Sequence, residues 1–189
     1  PTIRYKIPYT LIGLANDFIA SLPSDSEDPE IINQIAQARV CRAFGYMALA
    51  PYFQFGYSVA KDKPCVPLLL DGTDFTNNPR ATVGEVWQYV IDELTLAIND
   101  LAGATRTSKA YVDQNVAYGL RARANLICGN YAAAAEDAAK AMQGYTPATM
   151  AEVSEPAFCN LSEHNWIWGI NITAEMVQSS GYPTSSSWI

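Results

Sequence analysis

YGLRARANLICGNYAAAAEDAAKAM, residues 118–142, is the stretch on which the reading of this chain turns. With the residues just before it, the first half carries Val116, Leu120, Ala124 and Ile127 at helical spacing. Gly129-Asn130 interrupts that pattern, because glycine and asparagine tolerate the left-handed backbone angles that end a helix. The second half restarts at Tyr131 and sets Ala134, Ala138 and Ala141 on one face. Glu136 and Lys140 stand four apart, acid first, which suits a solvated opposite face. Two helices approach closely only where the side chains at their crossing are small. The stretch therefore predicts a tight antiparallel hairpin of alanine-lined helices.

Working outward toward the N-terminus, Thr82 and Glu85 have the spacing of a capping box, in which each side chain satisfies a free backbone N–H at a helix start. The helix that follows carries Val86, Val90, Leu94, Ala97 or Ile98, and Leu101 as its buried stripe. Trp87 borders that stripe as a core contact, and Gly103 is the stop. Asp28-Pro29 signals another start, an acidic cap followed by proline at the first helical position. That helix is expected to run to about Ala50 around Ala36, Ala38, Ala43 and Ala48, with Pro51 breaking or kinking it. Pro8 to Leu22 reads as an amphipathic helix ended by Pro23. Residues 52–80 read as a long irregular connection rich in aromatics, with VPLLL extended along the surface. Long loops inside a compact domain are uncommon and are often functional. Toward the C-terminus, residues 145–164 read as loop. Residues 166–172 read as a short strand that places Trp166 and Trp168 on one face, against the helices. The fold class expected is mainly α, with helix hairpins, long irregular loops and that one strand.

The 189 residues are 49% hydrophobic with a net charge of −7, and the 12 basic residues are scattered. Phosphate binding needs clustered Lys and Arg, so nucleic acid is not an expected partner. No apolar run approaches the ~20 residues of a membrane span. One histidine and four widely spaced cysteines offer no convergent metal ligands, and no cofactor is expected. Cys41 and Cys128 read as small buried apolar residues. A disulfide between Cys65 and Cys159 is an open alternative. The stretch at each end suggests an excerpt of a longer protein.

The hairpin resembles a divergent tetratricopeptide repeat through Tyr118, Ala122, Gly129, Tyr131, Ala134 and Ala141, with Pro147 beyond it. Arg121 and Asn125 depart from that repeat, which has apolar or aromatic residues there. The order of motifs along the chain resembles the SusD/RagB family of surface nutrient-binding lipoproteins. These are Tyr5 and Asn16 on the first helix, then Ala38, Arg42, Ala43 and Tyr46 on the second. Tyr52, Phe53, Gly56 and Val66-Pro67-Leu68 follow, then Arg80 to Val86, the GNYAAAAEDA hairpin, and Ile167 to Ile170. Pro51 and the Lys61–Pro64 loop depart from the family pattern. The resemblance implies that residues 1–189 form a single helical, tetratricopeptide-like region, the N-terminal part of a longer protein. It implies cell-surface binding of oligosaccharides, or of peptides in some members, for uptake through a SusC-type TonB-dependent outer-membrane transporter. It also implies a lipid anchor outside these residues and no catalysis. A plain protein-interaction scaffold is the alternative.

Sugar binding needs flat aromatic faces with amides and acids nearby. By residue type and loop position the candidates are Phe75, Asn77, Asn78, Tyr182 and Trp188, each of which could instead be loop packing. Arg39 and Arg42 are expected to pair with acids at a helix seam, with ligand contact as the alternative. Glu152, Glu155 and Glu163 are the only carboxylate cluster an enzyme reading could use, and solvated loop acids are the plainer account. Placing Ala134 at a helix crossing has a consequence: Ala134→Leu should destabilise the protein by about 1–3 kcal/mol through overpacking. An unchanged melting temperature would remove Ala134 from the crossing.

Overall fold

The computed structural model describes residues 2–70, 77–154, 161–170, 173 and 175. Among them are helices α1 (Thr2–Ala20), α2 (Pro29–Phe53), α3 (Tyr57–Ala60), α4 (Val83–Asp100), α5 (Gln114–Cys128), α6 (Tyr131–Ala141) and α7 (Met150–Ser154). Strands β1 (Pro64–Pro67) and β2 (Arg80–Thr82) pair antiparallel, with a register irregularity between Pro64 and Pro67. The chain is mainly helical, as its periodicity predicts. It divides into two compact units: one reaches to Arg106 and includes Val112–Gly144, and the other joins Thr107–Tyr111 to the residues from Tyr145 onward.

The first unit is a helical stack in which α1 packs on α2, α2 on α4, α4 on α5 and α5 on α6. The helix starts form where their caps predict. Asp28 accepts from the Glu30 N–H ahead of α2, and the Thr82–Glu85 capping box opens α4 with both reciprocal bonds made. Asp113 caps α5 through the Val116 N–H. Gly129 adopts φ 83°, the left-handed turn between α5 and α6. The core holds Ile12, Val40, Tyr46, Leu49, Val86, Trp87, Val90 and Leu94. α1 and α2 cross at Gly45, where an added Cβ would lie 2.7 Å from Ile12 Cγ1 and 3.2 Å from the Pro8 carbonyl. A side chain there would force the two axes apart.

Two buried ion pairs hold the stack in register. Arg42 on α2 donates from Nε and Nη2 to Glu93 Oε2 on α4, at 3.0 and 2.6 Å, and from Nη1 to Asn16 Oδ1 on α1, at 2.8 Å. Arg39 Nη1 reaches the other Glu93 oxygen at 3.4 Å. Arg39 and Arg42 therefore serve a helix seam. In the hairpin, Arg121 on α5 forks onto Asp137 on α6 with two bonds of 2.8 Å, and its third nitrogen donates to Thr95 Oγ1 on α4 at 2.9 Å. Asp137 also accepts from Asn125, which in turn accepts from Asn130 at the turn. Its hydrogen bonds to the Asp137 carboxylate raise the Arg121 pKa above its ordinary value, so its charge is secure. Asn115, at the start of α5, donates to the carbonyls of Ala141 and Gln143 at the end of α6, which makes the hairpin antiparallel.

Several local expectations give way. α1 starts at Thr2, six residues before Pro8, because Tyr5 and Tyr9 pack on Phe53 and Tyr46 and hold that first turn. α2 runs through Pro51 to Phe53. Proline forfeits one bond of the ladder, but Tyr5 against Phe53 and Arg4 over Tyr52 keep the last turn in place. VPLLL is extended at Val66 and Pro67, inside β1, but it does not run along the surface, since Val66 and Leu69 are buried and β1 lies against α2 and α4. Within 52–80, α3 and both strands replace much of the expected irregular connection. In the hairpin, Asp137 takes the inward position expected for Ala138, which is exposed. Cys41 and Cys128 are half-buried. Cys65 lies buried in β1 with a free thiol, and Cys159 falls outside the described residues.

The second unit corrects the strand expected at 166–172. Residues 166–170 bend instead, and 171 and 172 lie outside the described residues. Gly169 N donates to the Lys109 carbonyl and Trp168 Nε1 to the Ala110 carbonyl, so Trp168 bonds to the 107–111 segment. Gly169 sits against the Trp166 ring and Leu161, where an added Cβ would lie 2.6 Å from Leu161 Cδ2. A chain folded that closely on itself cannot form a ladder.

Removing one partner of a buried pair leaves the other charge uncompensated. Glu93→Ala and Asp137→Ala should each cost about 3–5 kcal/mol in urea unfolding, and Glu136→Ala on the exposed face should be close to neutral.

Candidate functional site

The segment after β1 is held by side chains rather than by a sheet. Tyr9 Oη on α1 donates to the Pro67 carbonyl at 2.7 Å, and Asn16 Nδ2 donates to the Leu69 carbonyl at 3.0 Å. The Leu69 N–H donates to Tyr46 Oη at 2.7 Å, and Asn78 Nδ2 donates to the Leu68 carbonyl at 2.7 Å. Burial pushes the Tyr46 hydroxyl up to about 12, so it stays neutral. These bonds anchor one side of the loop that carries the sequence candidates. Asn78 is half-buried with its amide nitrogen engaged on Leu68, whereas Asn77 is exposed. Phe75, Tyr182 and Trp188 lie outside the described residues.

Two surfaces have the chemistry of hydroxyl-rich ligands. The first is an aromatic end, where α1 begins and α2 finishes. Tyr5 meets Tyr9 at 4.6 Å between ring centres and Phe53 edge-on at 5.4 Å. Arg4 lies 4.5 Å over the Tyr52 ring. Tyr52 and Phe55 are 57% and 77% exposed. Gln54 bridges this end to β1, donating to the Pro64 carbonyl while accepting from the Phe55 N–H. Exposed rings cost hydration unless something covers them, and a sugar's C–H face is one such cover. Tyr52 and Phe55 are not among the candidates that residue type and loop position single out, because their exposure depends on where α2 ends. The signal that could have found them is the aromatic run spanning Pro51 and Gly56.

The second surface is a cleft of 580 Å³ between the start of α2 and the end of α4. Glu30 and Asn33 line one wall, and Asn99, Asp100 and Thr105 the other. Amides, carboxylates and a hydroxyl offer both donors and acceptors. Asn33 Oδ1 already accepts from Gln37 at 3.0 Å.

Of the three carboxylates an enzyme reading could use, Glu152 has other employment. Glu152 caps α7, accepting from the Thr149 N–H and Oγ1, and pairs with His164 Nε2 at 3.0 Å. The Glu163 carbonyl accepts from Lys109 Nζ. Glu155 lies outside the described residues. Burial pushes the Cys41, Cys65 and Cys128 thiols up, away from the reactive thiolate. Among the described residues, no group of His, Cys, Asp and Glu could hold a metal ion, and no helix is long and apolar enough to cross a membrane.

With this geometry in view, comparison with solved structures is informative. A SusD-like carbohydrate binding protein from Bacteroides vulgatus superposes over 93% of this chain with a TM-score of 0.83 at 23% identity. The chain has the SusD-like fold. A SusD superfamily protein from Bacteroides thetaiotaomicron matches 80% of the chain at 25% identity and a TM-score of 0.65. A laminarin binding SusD-like protein matches 79% at 19% identity and a TM-score of 0.64. The chain spans 38%, 34% and 32% of the lengths of these three SusD-like proteins. Comparison with protein-family models and with curated proteins finds no match.

The His164–Glu152 pair gives the second unit a pH signature. The Glu152 hydrogen bond raises the His164 pKa above its ordinary 6.5, so that contribution is complete below 6.5 and is lost as pH rises through the raised value. Bonds from Thr149, then from His164, lower Glu152 to about 2 from its ordinary 4.5, so its contribution is complete above 4.5 and is lost as pH falls through about 2. Amide protection of α7 should therefore be greatest between those limits. His164→Gln should abolish the decline on the alkaline side, and a decline that persists would show that the pair does not hold α7.

Proposed function

We propose that these residues are the helix-rich portion of a longer SusD-like protein that binds glycans at the cell surface. In this reading it hands them to a SusC-type TonB-dependent outer-membrane transporter, is tethered by a lipid anchor outside this segment, and performs no chemistry of its own. The observation that carries the proposal is the fold shared over 93% of the chain with a SusD-like carbohydrate binding protein. The exposed Tyr52 and Phe55 rings support it, since flat aromatic faces in solvent suit the C–H faces of a sugar. Phe75, Asn77, Asn78 through its amide oxygen, Tyr182 and Trp188 remain proposed ligand contacts.

The test is a glycan panel that includes laminarin, titrated into the full-length protein by calorimetry. Binding to at least one glycan is expected. Tyr52→Ala and Phe55→Ala should each weaken that binding about two- to tenfold, the range that one ring contact supplies. Binding unchanged in both variants would move the site away from the aromatic end. Silence across the glycans would overturn the reading.

A further inference from the structure

This chain has 19 Asp and Glu for 12 Lys and Arg, and its helix seams use them. Arg39, Arg42, Arg106 and Arg121 each meet a carboxylate. The aromatic end is different. Arg4, Lys61 and Lys63 are exposed there, and among the described residues none of them has a carboxylate within ion-pair distance. Arg4 lies over the Tyr52 ring at 4.5 Å, and Lys61 over the Tyr57 ring at 5.7 Å. The bond from Gln54 to the Pro64 carbonyl closes residues 54–64 on the finish of α2, which brings Tyr57, Lys61 and Lys63 to the same end as Tyr52 and Phe55. Residues 1–10 and 50–66, which build this end, carry four Lys and Arg against Asp62 alone, in a chain whose net charge is −7.

A cation over a ring is held by the ring's negative face and spends no hydrogen-bond donor. Its N–H groups stay available to an anion, while the aromatic faces nearby offer flat apolar surface. A sugar unit bearing an acidic group has both matching parts: C–H faces for the rings, and a carboxylate or sulfate for the cations. A neutral glycan would use the rings and leave the cations idle. We propose that the aromatic end binds a saccharide carrying carboxylate or sulfate groups, with Arg4 and Lys61 as the anion contacts. The inference rests on the functional reading above and narrows its ligand class. Charge sets the location, because the excess of acid over the rest of the chain repels such a ligand and this end attracts it.

Calorimetry on the full-length protein tests this with two matched pairs: an oligogalacturonide against its methyl ester, and dextran sulfate against dextran. The first pair isolates the carboxylate and the second the sulfate. The charged member should bind about fivefold tighter in at least one pair. Arg4→Gln and Lys61→Gln should each shrink that preference about two- to fivefold. Arg123→Gln, which removes an exposed cation on α5, should leave it as it is. Should either variant fail to fold, salt reads the same contact in the unaltered protein. A rise from about 0.1 M to about 1 M shortens the screening length from about 10 Å to about 3 Å, so affinity for the charged member should fall severalfold. Equal affinities within both pairs, a preference for the neutral members, or no binding to any of the four would overturn the proposal. So would a preference that survives both substitutions or added salt. If laminarin or another neutral glycan still binds, the functional reading stands without this inference. Silence across every glycan, charged and neutral, removes both.

Discussion

A carboxylate buried between helices has to be neutralised where it stands, and Glu93 imposes that demand on this fold. Arg42 meets it with two nitrogens on one oxygen, and Arg39 reaches the other oxygen. The third Arg42 nitrogen engages Asn16, so one guanidinium ties together α1, α2 and α4. Apolar packing alone would allow these helices to slide by a turn at small cost. A charge that must meet its partner does not, because any other register strands it in low dielectric. Asn16 then passes the constraint outward through the Leu69 carbonyl, and Tyr46 adds a second tie to Leu69. The position of Leu69, just past β1, thus follows from one ion pair in the core.

The hairpin repeats the device. Arg121 and Asn125 are the positions where the chain departs from the tetratricopeptide pattern, and they gain their meaning from Asp137 across the crossing. Small side chains let α5 and α6 approach, and the fork between Arg121 and Asp137 sets how far along each other they lie. Thr95 extends that tie to α4. The frame is therefore registered by polar bonds at two seams and closed by alanine and glycine at the crossings. The aromatic end and the polar cleft sit on this frame, built from the ends of α1, α2 and α4.

Much of this is legible residue by residue. The Thr82–Glu85 box, the Asp28-Pro29 start and the Gly129 turn are local chemistry, decided within four residues, and each forms as its sequence predicts. The readings that fail depend on distant partners. Pro8 reads as a helix start and Pro51 as a breaker or kink, yet each lies inside a helix whose turns are held by rings from the other. VPLLL reads as extended along the surface, and its extended start holds, but its carbonyls meet Tyr9 and Asn16 and its Val66 and Leu69 are buried. Trp166 to Ile170 alternates as a strand would, but in the structure the Trp166 N–H turns back to the Glu163 carbonyl and the Gly169 N–H goes to Lys109. At the candidate site, the Asn78 amide nitrogen is engaged by the Leu68 carbonyl, a partner ten residues back that its own loop composition does not announce.

The sequence by itself determined that the chain is helical, where most of its helices begin, and that α5 and α6 turn back on each other, because caps, glycine turns and periodicity act over a few bonds. Only the tertiary structure decided the register of the stack, the course of the chain through its prolines, and which aromatic rings reach solvent. Those depend on whether a charge or a ring finds its partner fifty residues away, and no local pattern carries that information.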